Sequence, residues 1–505
     1  MIEESLRDEF FDTPHRAPDL RTRVVRGGFW VLAIRITGQL FRLARTIVLA
    51  RLLAPADFGL FGIALLAMSA LETFSQTGFG AALIQKKGDT KSYLDTAWTV
   101  QVIRGIILAL IAFTIAPYVA VFFNAPAAKP ILQVIAFSML LGGFSNIGVI
   151  YFQKELEFHK SFVLGLSGTL ADLSVAIPAA FLLRSVWALV FGLLAGNIVR
   201  LMLSYFIHPY RPRLAFNKQQ FKELFGFGKW VFVSTIIGFL VLEGDDVFVG
   251  RFLGVTALGF YQLAYRIGNL PSTEYAKTIA QVAFPTYTKL QDNPGQLRRA
   301  YLETLQLTTF ISVPFALGIF IMAPDFTKIF LGEKWIPMIP ALQILALAGL
   351  VRSIANTTGY VVLAVGKPKI LTKWFFVRLI VLIVLLYPLT VRWGIAGASL
   401  AVLASIVTST IGYNAMVIKI TKSELITVIK EISIPLVNAI VMVLGIFFLL
   451  TTVETVNIWG FITTIIVGIL TYLSATFLSV KLLNYGILCT IGNNLKTLRK
   501  RPARA

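Results

Sequence analysis

The sequence predicts an all-α polytopic membrane protein of about fourteen transmembrane helices, two six-helix lobes related by a parallel internal repeat plus two C-terminal helices. Three observations carry this. The 505 residues are 57% hydrophobic and only 14% charged, with mean hydropathy +0.78, so a soluble surface cannot be assembled. Apolar runs of membrane-spanning length recur from end to end. Finally, the chain matches itself at an offset of 200 residues.

The elements follow in order from where basic residues interrupt the apolar runs. Residues 1–27 are charged, lack the apolar core of a signal peptide and read as a cytosolic tail. Spans at 28–50 and 57–80 flank Arg51. Lys86, Lys87 and Lys91 precede 97–122, and Lys129 separates that run from 131–152. Lys154 and Lys160 lead into 161–183, and Arg184 divides it from 185–207. The basic stretch 209–224 reads as an inter-lobe linker, followed by spans at 230–250 and 256–284 around Arg251. Arg298 and Arg299 precede 303–323, and Lys328 and Lys334 divide it from 338–364. Lys367 to Lys373 introduce 371–391, which Arg392 separates from 395–417. Spans at 432–451 and 457–479 complete the set. The resulting organisation is tail 1–27, N-lobe 28–208, linker 209–224, C-lobe 225–420, added pair 421–484 and basic cytosolic tail 485–505.

Positive-inside bookkeeping supports this count. With a cytosolic N-terminus, inner segments hold 29 Lys and Arg against 7 in the outer loops, so both termini are expected inside. The formal net charge of +21 is therefore mostly topology signal, and nucleic-acid binding is not expected. A single cysteine, Cys489, and three scattered histidines, His15, His159 and His208, offer no disulfide, metal centre or catalytic triad. No Walker A sequence is present, which argues against ATP hydrolysis by this chain.

In the repeat, Gly28, Trp30, Val31, Ile36, Gly38, Leu40, Arg51, Leu53, Gly59 and Ala64 meet identical residue types 200 positions later, ten identities in 37 positions. The offset covers six spans, so both copies share one orientation, as in transporters whose two halves handle substrate between them.

With this duplication, the segments RGGFWVLAIRITGQL, ARLLAPADFGLFG and QTGFGAALIQ resemble the polysaccharide transporters of the multidrug/oligosaccharidyl-lipid/polysaccharide (MOP) superfamily, more narrowly the Wzx-type lipid-linked oligosaccharide flippases. The resemblance implies an inner-membrane protein that turns an undecaprenyl-pyrophosphate-linked glycan to the outer leaflet by alternating access, in lipopolysaccharide or exopolysaccharide biosynthesis. It implies no cofactor beyond an H+ or Na+ gradient. Its implied partners are membrane lipids and, downstream, a polysaccharide polymerase and a chain-length regulator.

Ionisable residues at bilayer depth cost roughly 2.5–3.5 kcal/mol each, so they face protein or a wet cavity. Gln39, Arg42 and Thr46 follow Arg35 at helical spacing on one stripe, and Gln262, Arg266, Asn269, Thr273 and Lys277 form another around Pro271. A cationic cavity for a pyrophosphate is assigned to Arg35, Arg42, Arg266 and Arg352, with Gln39 and Lys277. Arg200, Lys229 and Arg378 read as structural ion pairs or snorkelling groups. At the outer mouth, Arg45 with Asp245 and Asp246 is expected to form an inter-lobe gate. Glu72, Asp172, Glu243 and Glu274 either couple an ion or neutralise a neighbouring arginine. Gly192-xxx-Gly196 and the Gly142–Gly143 pair are assigned to helix packing. A membrane glycosyltransferase or polymerase is disfavoured because the longest outer loop, 324–337, cannot house an active-site domain. Within the superfamily, a lipid II flippase and a multidrug exporter are the alternatives.

Overall fold

In hydrocarbon no solvent satisfies a backbone amide, so each spanning segment must close its hydrogen bonds internally, and a helix does so within one segment. The computed structural model describes residues 37–75, 79, 83, 91–155, 157–270, 276–452, 457–483 and 486, and the regular elements among them are helices. Helix α1 covers 37–52 and α2 Pro55–Phe74. Helices α3 (Lys91–Phe122), α4 (Ala128–Gly143), α5 (Phe158–Leu183) and α6 (Trp187–Ile207) complete the first half. The second half holds α7 (Lys218–Phe252), α8 (Val255–Gly268), α9 (Lys277–Lys289), α10 (Pro294–Phe326), α11 (Ile339–Ala364) and α12 (Pro368–Thr421). Helices α13 (Leu425–Thr452) and α14 (Ile458–Leu483) follow. Among the described residues nine helices are long and apolar enough to cross a membrane, and α4 is a shorter apolar helix.

Three elements depart from the sequence expectation. Helix α4 stops at Gly143 rather than continuing to 152, because Asn146 takes an extended backbone and its Oδ1 accepts the Gly148 amide at 2.9 Å, starting a separate turn at Ile147–Ile150. The expected span 256–284 divides into α8 and α9. The 54-residue α12 is two helices back to back: Trp393 and Gly394 leave helical geometry, Gly394 at φ 56 and ψ −135, a conformation that favours glycine. Beside this turn Gly397 lies so close to the Leu389 carbonyl that a Cβ would fall 1.9 Å from its oxygen.

Part of the expected linker 209–224 is also helical, since α7 begins at Lys218 with Asn217 as its cap. The chain between α6 and α7 is fastened along the first turns of α3. Asp95 accepts the Tyr210 hydroxyl and, at 2.9 Å, the Arg213 amide. Thr99 Oγ1 accepts the Ala215 amide at 3.0 Å, and Thr96 Oγ1 the Asn217 amide at 3.3 Å.

The principal core runs across both halves, with Ala50, Ile63 and Leu66 packed in one cluster with Leu258, Tyr261, Ala264, Trp335 and Leu342. Helices α2 and α8 meet through glycines: a Cβ on Gly59 would lie 1.9 Å from the Val255 oxygen, and one on Gly259 would lie 2.0 Å from the Pro55 oxygen. The contact is mutual at the 200-residue offset. A smaller cluster joins α10 to α13 and α14 through Val313, Ala439, Met442, Ile446 and Tyr472.

Candidate functional site

The polar stripe of α1 faces α5, α6 and α8. Arg42 donates from Nη2 and Nε to Gln39 Oε1 at 2.8 and 3.2 Å, one turn away. Arg45 presents its fork to Asp172 of α5: Nη2 donates to Oδ1 at 3.0 Å and Nε lies 2.8 Å from Oδ2. From the other half, Arg266 of α8 donates to Thr46 Oγ1 at 3.4 Å, and Thr46 donates to the Arg42 carbonyl at 2.7 Å. Arg200 of α6 donates to Asn197 Oδ1 at 3.1 Å, and its charge bears on both Asp172 and Arg42. Arg42, Arg45 and Asp172 all act on the Arg266 charge. Three guanidinium groups, of Arg45, Arg200 and Arg266, thus face one carboxylate, and Arg42 stands beside the latter two. Arg42, Arg200 and Arg266 keep accessible surface, as groups lining a cavity between the halves would.

Glycines make the room. A Cβ on Gly192 would lie 2.3 Å from Asp172 Oδ1, and one on Gly168 would lie 2.2 Å from Arg200 Nε. Gly196 approaches both the Gly168 carbonyl and the Asp172 side chain. The Gly192-xxx-Gly196 spacing therefore packs α6 on α5 and also seats the site's carboxylate.

Arg352 does not join this cluster. It lies over the Tyr265 ring at 5.2 Å, with Arg378 of α12 beside it. There Asp245 of α7 accepts the Tyr261 hydroxyl at 2.7 Å, and Asp246 hydrogen-bonds Gln262. Asp245, Asp246 and Arg378 are buried, and Glu243 is half-buried beside the two aspartates. Asp245 Oδ1, Asp246 Oδ1, Arg378 Nε and Arg352 Nε and Nη2 have no protein partner. The expected Arg45–Asp245 gate is thus not formed: Arg45 is committed to Asp172, while Asp245 faces α8 within its own half. Arg378, expected to be structural, belongs to this second cluster.

Glu72 is exposed and stands apart from both clusters; Arg104 sits beside it and donates to the Glu72 and Ser75 carbonyls at 3.0 and 2.9 Å. Arg35, Pro271, Thr273 and Glu274 lie outside the described residues, as do the side chains of Lys229 and Lys277.

The two halves also join at the C-terminal end of α1, through groups that the sequence reading did not assign to the site. Arg51, at the end of α1, donates to the Phe330 carbonyl at 2.8 Å and to the Ile329 carbonyl. Lys334 returns a hydrogen bond to the Arg51 carbonyl at 2.9 Å. Trp335 is fully buried between Phe58 of α2 and Phe260 of α8, ring centroids 5.2 and 5.7 Å away.

Residues 48–340 match the model of the family described as "Polysaccharide biosynthesis protein". The chain is 28% identical over 359 residues to the lipopolysaccharide biosynthesis protein WzxC of Escherichia coli (strain K12), covering 70% of this chain and 73% of that protein. It is 26% identical over 299 residues to the teichuronic acid biosynthesis protein TuaB of Bacillus subtilis (strain 168), covering 59% and 62%. Its fold is similar to that of the lipid II flippase MurJ in an inward closed conformation, at TM-score 0.72 and 17% identity over 90% of this chain and 99% of that one. The match over more than half of its length places it: the chain belongs to the family described as "Polysaccharide biosynthesis protein".

Proposed function

We propose that this protein is a flippase that carries an undecaprenyl-pyrophosphate-linked oligosaccharide from the cytosolic to the outer leaflet of a bacterial inner membrane, for polysaccharide biosynthesis. The observation that carries the reading is the convergence of Arg45 and Arg200 from one half with Arg266 from the other on a single carboxylate, with Arg42 beside Arg200 and Arg266. Guanidinium forks match phosphate oxygens in geometry and charge, and a diphosphate leaving water needs several of them. Because Arg266 approaches the others across the boundary between halves, a bound headgroup bridges the two, and rocking of one half against the other moves the headgroup. The oligosaccharide is held in the aqueous cavity and its prenyl tail in lipid. An arginine-rich cavity favours this anionic cargo over the cations of a multidrug exporter.

With no Walker A sequence in the chain, the energy comes from an H+ or Na+ gradient. Asp245 and Asp246 are its seat in this proposal: they are buried, each retains an unpartnered oxygen, and they contact α8, the helix that carries Arg266. Both termini lie in the cytosol, and a polymerase and a chain-length regulator act on the delivered glycan.

Arg42→Gln and Arg266→Gln should each abolish glycan export while leaving folded protein in the membrane. Export at the wild-type level by both variants would overturn the assignment.

A further inference from the structure

Resting on this cargo reading, we propose that Asp172 is a resident counter-anion of the cationic site, one that holds guanidinium groups between transport events and competes with the phosphate headgroup for them. Asp172 is the carboxylate that faces the cluster, and Arg45, Arg200 and Arg266 all act on its charge. Its Oδ1 accepts a hydrogen bond from Arg45 Nη2 at 3.0 Å, and its Oδ2 lies 2.8 Å from Arg45 Nε as an ion-pair contact without hydrogen-bond alignment.

The position is built. Gly192 is bare where any side chain would strike Asp172 Oδ1, and Gly168 is bare where one would strike Arg200. An α5–α6 contact of purely apolar residues would have needed neither clearance.

The electrostatic argument is about balance. Four unopposed guanidinium groups inside a bundle repel one another, and each is costly in a membrane. One resident carboxylate makes the empty site tolerable. It also subtracts from the attraction felt by an incoming anion, so a phosphate headgroup must displace Asp172 from the guanidinium groups to engage them. The same subtraction limits affinity and keeps release fast enough for turnover. Arg45, held by Asp172 and only 11% exposed, is the least available of the four, whereas Arg42, Arg200 and Arg266 present accessible surface.

The test uses full-length protein in lipid nanodiscs, with undecaprenyl diphosphate as the probe in native mass spectrometry, alongside glycan export in cells. Asp172→Asn should bind the diphosphate at least roughly tenfold more tightly, the size expected for deleting one like charge within several ångströms at an effective dielectric near 20. Its export rate should fall because release slows. Asp172→Glu should restore wild-type affinity. Unchanged or weaker binding by an Asp172→Asn protein with wild-type melting behaviour would overturn the proposal. Should that variant fail to fold, Arg45→Gln decides: it frees the carboxylate to oppose Arg200 and Arg266, so diphosphate binding should weaken, and binding equal to wild type overturns the proposal. Undiminished diphosphate binding by Arg42→Gln and Arg266→Gln would instead remove the cargo reading itself.

Discussion

Trp335, in the connection between α10 and α11, donates its indole Nε1–H to the carbonyl of Ala50 at 2.9 Å, tying the C-terminal end of α1 to the other half of the protein. The last carbonyls of a helix have no partner within it, and a buried indole needs an acceptor. Each group answers the other's need. With Arg51 donating to the Phe330 carbonyl and Lys334 to the Arg51 carbonyl alongside, this end is closed by polar pairs that exist only while the halves are together.

Trp335→Phe keeps an aromatic ring between Phe58 and Phe260 but strands the Ala50 carbonyl. Leaving such a group unsatisfied costs about 1–3 kcal/mol, so opening of this end should become roughly five- to a hundredfold more populated. Hydrogen–deuterium exchange of peptides covering residues 50–60 should speed up accordingly, and more so in Trp335→Ala. Exchange at the wild-type rate in both variants would show that this contact does not hold this end shut.

The glycine contacts of α2 and α8 allow a paired comparison. Gly59→Ala and Gly259→Ala each drive a methyl group onto a backbone oxygen that cannot swing away, at 1.9 and 2.0 Å. Overpacking of this kind costs about 1–3 kcal/mol. Gly165→Ala, with open space around it, is the control and should be neutral or slightly stabilising because alanine favours the helix. Thermal unfolding of the purified proteins in detergent should separate the first two variants from the third. Equal melting of all three would mean that the α2–α8 approach is looser than described.

The arginine stripe of α1 was legible because polar residues at helical spacing in an apolar run have one physical meaning. So was the overall class, since composition alone denies the chain a soluble surface. What could not be read was which helix each stripe meets. Arg352 and Arg266 look equivalent in sequence, but Arg352 lies over the Tyr265 ring, whereas Arg266 reaches α1. Arg45 and Asp245 share a register in the 200-residue repeat, yet a shared register fixes no contact, and each carboxylate is answered locally, Asp172 by Arg45 and Asp245 by Tyr261. Arg200 was overlooked because a lone arginine near a span end reads as snorkelling. Its signal lay in its neighbours: Asp172 within a membrane helix demands a cation, and Gly168 and Gly192 leave space for the charged groups. Trp335 gave no signal, since a tryptophan in a short outer loop is unremarkable until Phe58 and Phe260 are seen on either side.

The segment joining the halves should resist proteolysis despite its basic, loop-like sequence. Arg213, which precedes Leu214, is a trypsin site, but Asp95 and Thr99 hold the flanking backbone along α3. Asp95→Ala removes the acceptor shared by the Tyr210 hydroxyl and the Arg213 amide. Limited trypsin digestion of the purified variant should then cut at Arg213 at least several-fold faster than in wild type, giving two fragments near the halves of the chain. Equal cutting rates would mean that this strap is not held by Asp95.

At the start of that segment, His208 makes the fold sensitive to acid. Its ring is buried at the end of α6, beside Tyr151 and Phe152, and its Nδ1 accepts the Tyr210 amide at 3.1 Å. Burial, reinforced by the nearby Lys160 and Arg211 charges and opposed by Glu157, pushes its pKa down from 6.5 to about 4. Between those values the unfolded chain takes up a proton that the folded chain refuses. The contribution of neutral His208 is therefore complete above pH 6.5 and is lost progressively as pH falls toward 4. The melting temperature of wild type should decline between pH 7 and pH 5. His208→Gln, which offers an acceptor but cannot titrate, should melt lower at pH 7 through lost packing and show a shallower decline with acid. An identical pH slope in the two proteins would place the acid sensitivity elsewhere in the chain.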